Sequence, residues 1–199
     1  MKSRTVLNLS QLPLHGVGSA SPTWWGTLAF MLIEGTGFAL MIAVYLYLMS
    51  NAAQWPINAR PPELFAGTLV TVLLLASLVP NVLTMRWAKQ EDLRKVRFGM
   101  IMMSIMGIVP LIVRTFEFRS LKVQWDDNAY GSVVWMLLGL HTTHILTDVG
   151  ETLVLAALMF TQHADNPRRF GDVQDGALYW NFVVLTWLPI YGCIYWLAR

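Results

Sequence analysis

Five long apolar runs, separated by short polar stretches, set the order of this chain. They fall at about 24–49, 63–86, 97–118, 130–160 and 177–197, and each is long enough to cross about 30 Å of hydrocarbon as a helix. The pattern predicts an all-α fold: a polytopic membrane bundle of five transmembrane helices over 24–199, behind a polar segment at 1–23. Runs of about twenty residues, not alternating segments of about ten, set it apart from a transmembrane β-barrel. The polar stretches carry breakers, with Pro56, Pro61 and Pro62 before the second run and a charged turn at 88–96 before the third. All of 161–176 reads as a polar connection. Pro80 interrupts the second run, where Thr71, Ser77 or Asn81 is expected to satisfy the carbonyl it frees. Gly35, Ala39 and Ala43 stand four apart in the first run, a small-residue face suited to close helix packing.

The fourth run departs from this pattern. It holds His141, His144, Asp148 and Glu151, whose spacing of three, four and three puts them on one narrow helical stripe. Charge inside hydrocarbon costs about 2.5–3.5 kcal/mol per residue on insertion scales, so such groups face protein or water. The first run supplies a counterpart: Glu34 sits roughly 15 Å along its helix, near the depth of Glu151, Asp148 and His144 on the fourth. These five residues are expected to form one buried polar network between the first and fourth helices. Two roles stand open for it, a site of proton exchange or ion binding and a hydrogen-bond latch between helices. In the third run Arg114 reads as a snorkelling side chain, its pairing with Glu117 wet and weak.

Composition sharpens the class. The chain is 55% hydrophobic and only 13% charged, about half the charge of a soluble domain. A net charge of +2 with no basic cluster points away from nucleic acid. Lys and Arg concentrate at 1–23, 86–97 and 161–176 and are sparser at the opposite ends. That bias places the N-terminus in the cytoplasm and the C-terminus in the periplasm. The single cysteine, Cys193, forbids an internal disulfide. Residues 1–23 lack the apolar region and cleavage site of a signal peptide, so none is expected.

The titratable residues make no centre by their spacing. His141 to Glu151 spans about 15 Å of helix, too far for one metal, and Glu34 is the one midplane carboxylate from another run. His141 and His144 share a helix, while His15 and His163 fall outside the runs, so opposed axial ligands for haem are lacking. Cys193 has no histidine on its own run for a thiolate copper site. There is no CxxCH, no phosphate-binding GxxxxGK[ST] and no GxSxG. No catalytic residue, metal site or cofactor of its own is expected.

Several segments resemble subunit III of haem-copper oxidases, in its shorter five-helix form. FMLIEGTGFALM is similar to that family's segment with a mid-helix Glu, here Glu34. VTVLLLAS resembles N-T-x-x-L-L-x-S, with Val70 in place of the Asn. RTFEF resembles the acid–aromatic pair closing the third helix, with Glu117 as the acid. YGSVVWMLLGLHTTH resembles Y-G-S-x-F-F-x-x-T-G-x-H-G-x-H at Tyr130, Gly131, Ser132, Gly139, His141 and His144, with a small length difference between Ser132 and Gly139. YWNFVVLTWL resembles Y-W-H-F-V-D-V-V-W-L, matching at Tyr179 and Trp180. The departures are Thr142 and Asp148 where the family has Gly, and Asn181 and Val184 where it has His and Asp. The resemblance implies an accessory, cofactor-free subunit of a cytochrome c oxidase in a bacterial inner membrane. Its implied partners are the catalytic subunit I and subunit II, which hold the haem and copper, and bound phospholipid; its implied role is to stabilise subunit I and support proton uptake. A nitric oxide reductase or quinol oxidase stays open as the host. So does, from another class, a small transporter using the acidic stripe.

Overall fold

The computed structural model describes residues 21–199. The polar segment expected at 1–23, with Lys2 and Arg4 and their weight in the orientation argument, lies outside the described residues up to position 20. Among the described residues the regular structure is helical throughout: α1 Pro22–Asn51, α2 Leu64–Lys89, α3 Leu93–Ser120, α4 Ala129–Met159 and α5 Arg168–Tyr191. A 3-10 turn at Gln162–Asp165 precedes α5, and a π-helical segment at Gly192–Trp196 follows it.

Local chemistry starts three of these helices. Ser21 accepts from the Thr23 backbone N–H, with Pro22 opening α1. Asp92 accepts from the Lys95 N–H at the start of α3, and Asn128 from the Gly131 N–H at the start of α4. The Lys95 ammonium also bonds Asp92 at 2.7 Å and, with the backbone bond, holds that carboxyl below its usual range.

Helices α1, α2, α3 and α5 with its π-helical end are long and apolar enough to cross a membrane. The 31-residue α4 is not among them, because the imidazoles, threonines and acids in its middle offset its Leu, Val and Ile. The fifth apolar run also starts earlier than expected. Residues 168–176 belong to α5, not to a connection, since Phe170, Val173 and Ala177 recur at helical spacing and are buried. The charged turn shrinks likewise, as α2 runs to Lys89 and α3 begins at Leu93.

Helix α2 packs between α3 and α5, while α4 packs against α3 and α5. Helix α1 lies outside this group, against α4 and α5, and buries only Phe38 and Tyr45. The core is formed by Leu74, Leu137, Trp187, Ile190 and Tyr195 with their neighbours. The small-residue face of α1 is not used for packing inside the chain: Gly35 approaches the Phe182 ring, but Ala39 and Ala43 are exposed. Around Pro80 the three expected side chains serve other acceptors. Thr71 donates to the Gly67 carbonyl, Ser77 to the Leu74 carbonyl, and Asn81 to the Ala177 carbonyl and Asn181 Oδ1 on α5. Trp180 and Trp187 in turn donate to Ser77 and Thr71, both at 2.8 Å. Polar groups of α2 thus fasten α5 across the bundle.

Candidate functional site

The five residues expected in one network divide between two clusters. Glu34 of α1 and His144 of α4 meet at 3.0 Å (Oε1 to Nε2), and the Tyr179 hydroxyl of α5 donates to the other Glu34 oxygen at 2.7 Å. His144 Nδ1 lies 2.6 Å from the Leu140 carbonyl. A carbonyl only accepts, so Nδ1 carries a hydrogen. Nε2 is thereby left to face the Glu34 carboxyl at hydrogen-bonding distance. Phe38 packs on the His144 ring at 4.8 Å.

His141 belongs to the second cluster. Its Nε2 donates to the Val183 carbonyl at 2.9 Å, so its Nδ1 accepts from Arg114 Nη2 at 3.1 Å. Both ring nitrogens are committed in the neutral form. Arg114 also bonds Glu117 at 2.6 Å and stacks 4.0 Å from the Trp187 ring. Tyr195 donates to the second Glu117 oxygen at 2.5 Å. Arg114 is 1% exposed and Glu117 0%. The snorkelling reading of Arg114, and the wet, weak pair with Glu117, are therefore corrected. Arg114 turns inward because Glu117, His141 and Trp187 converge on it from three helices, a better solvation shell than the lipid interface.

Asp148 and Glu151 complete the first cluster without bonding to it. Both line, with Glu34, His144 and Tyr179, a cavity of about 270 Å³. Asp148 is buried and its Oδ2 has no partner among the described residues, whereas Glu151 is exposed at the rim.

The remaining motif positions are structural in their contacts. The Tyr130 ring packs edge-on against Trp55 at 4.9 Å. Gly131 is obligatory, since a Cβ there would stand 2.1 Å from the Gln124 carbonyl oxygen. Ser132 donates to the Trp125 carbonyl at 2.7 Å, while Gly139 has open space around it. Asn181 pairs with Asn81, and Val184 is fully buried among apolar neighbours. Sequence reasoning missed Tyr195 and Trp187 as partners of the ion pair. Their only signal was a polar edge on an aromatic in an apolar run.

Among the described residues no group of three or more His, Cys, Asp or Glu is placed to hold a metal ion.

A family model described as cytochrome c oxidase subunit III matches residues 25–199. Cytochrome c oxidase subunit 3 of Thermostichus vulcanus is 26% identical over 176 residues, covering 87% of this chain and 87% of that protein. The protein of the same name from Drosophila melanogaster is 28% identical over 187 residues, 86% of this chain and 68% of its own length. A probable cytochrome c oxidase subunit 3 of Mycobacterium tuberculosis (strain CDC 1551 / Oshkosh) is 25% identical over 191 residues, 92% of this chain and 91% of that protein.

Proposed function

The chain belongs to the cytochrome c oxidase subunit III family, and from that membership we propose how it serves a haem-copper oxidase. It is the accessory subunit of the terminal oxidase of an aerobic respiratory chain. It stands beside subunit I and subunit II in a bacterial inner membrane, holds phospholipid at its flank and leaves the haem and copper to those partners. It crosses the membrane five times, α4 included, with its N-terminus cytoplasmic and its C-terminus periplasmic. The polar middle of α4 is compatible with a span because its imidazoles and Asp148 are buried by α1, α3 and α5.

The observation that carries this reading is how the family's motif residues are employed. Glu34, Glu117, Tyr179 and Trp180 bond to other helices of the same chain. His141 is held neutral by two partners, which suits a fastening and not a ligand. What is left for chemistry is the Glu34–His144 contact, beside a cavity. That pair is the part of this chain suited to supporting proton uptake by a neighbour.

The test is an oxidase purified from cells with and without this chain. Without it, haem bands are retained, but proton pumping per electron falls and activity decays sooner during sustained turnover. Unchanged pumping and lifetime contradict the proposal.

A further inference from the structure

The seam between α1 and α4 opens on either side of the Phe38–His144 contact, and its two halves differ. Toward Asn51 and Ala129 it is an apolar groove lined by Met41, Val44, Leu48 and Met136. Toward the other end it deepens into the cavity of about 270 Å³ floored by His144, Asp148 and Tyr179, with Phe30, Thr147 and Glu151 at the rim. Asp148 is 2% exposed, lines this cavity and has an Oδ2 without a hydrogen-bond donor among the described residues. Buried acceptors are rarely left so, and the exceptions mark a missing partner. The acidity of the cavity is also unanswered. His144 is engaged by Glu34, Asp148 and Glu151 add further carboxyls, and among the described residues no Lys or Arg lines the cavity.

Depth says what kind of partner fits: Asp148 lies about 16 Å along the helix from Met159, deeper than a lipid headgroup sits.

We propose that this seam is the docking groove for one transmembrane helix of a partner subunit, which lays apolar side chains along the outer half and brings a lysine or arginine to Asp148. The proposal rests on the reading of this chain as part of a multi-subunit oxidase and adds the surface and the chemistry of the contact. An acyl chain fills the apolar half but leaves Asp148 unanswered.

The test places a benzoylphenylalanine photo-cross-linker at exposed Thr147 of the full chain in native membranes. The tagged complex is then purified in mild detergent and the adducts are mapped by mass spectrometry. The expected adduct is a transmembrane peptide of a co-purified subunit with Lys or Arg within one turn of the linked residue. Asp148→Ala in the same background lowers its yield about tenfold, the ratio a lost charge-assisted hydrogen bond gives. Asp148→Asn, equal in shape, serves if Asp148→Ala does not accumulate. Adducts only to lipid, a linked peptide without a basic residue near the site, or yields indifferent to Asp148 overturn the groove while leaving the subunit role standing, provided haem polypeptides co-purify. If no haem polypeptide accompanies the unsubstituted chain, the functional reading itself fails.

Discussion

Arg114 shows how much a single side chain depends on its neighbours' rotation. Its place in the third apolar run was legible, but not the fact that α4 and α5 turn His141 and Trp187 toward it. That depends on helix rotations about their axes, which no local pattern encodes. Buried ion pairs are costly to break because the surviving charge is stranded, typically about 3–5 kcal/mol. Arg114→Met is thus expected to destabilise the solubilised protein by about that much, and adding Glu117→Leu recovers most of the loss, as read by thermal unfolding in detergent. The division of the polar residues gives a second expectation. In double-mutant cycles with alanine, Glu34 and His144 couple by about 0.5–3 kcal/mol, whereas Glu34 and His141 add to within about 0.5 kcal/mol. Coupling of Glu34 to His141 as strong as to His144 would restore the single network.

At the level of helices, long apolar runs located all five elements, although only α1, α2, α3 and α5 are long and apolar enough to cross a membrane. It misplaced the start of α5, where Phe170 and Val173 anchor turns that are otherwise polar. It was also silent on which glycines matter. Gly131 and Gly139 both sit in the α4 motif, yet an added Cβ meets the Gln124 backbone at the first and nothing at the second. Backbone cannot move aside as a flexible side chain can. Gly131→Ala should therefore cost about 1–3 kcal/mol or more of stability through overpacking and a displaced start of α4. Gly139→Ala should be neutral or mildly stabilising, since alanine favours helix over glycine by about 1 kcal/mol. Equal losses at the two positions would mean that α4 sits differently against the 121–128 connection.

For the molecule as a whole, α2 to α5 form a closed unit whose polar groups largely answer one another, while α1 covers one flank and leaves the α1–α4 seam open. Its family was legible from motif order, since Tyr130, Gly131, His141, Tyr179 and Trp180 are held by contacts that constrain residue type. The cavity beside Asp148 was not, because it depends on how α1 leans on α4. In the role proposed above, this chain braces a neighbour bearing the redox centres and holds none itself. The most direct measurement is purification of the tagged chain in mild detergent with an optical spectrum, followed by separation of the subunits. The expected result is haem absorbance co-eluting in constant ratio with this chain and departing with another polypeptide. A chain that elutes alone and colourless, or that keeps the haem once separated, contradicts the account.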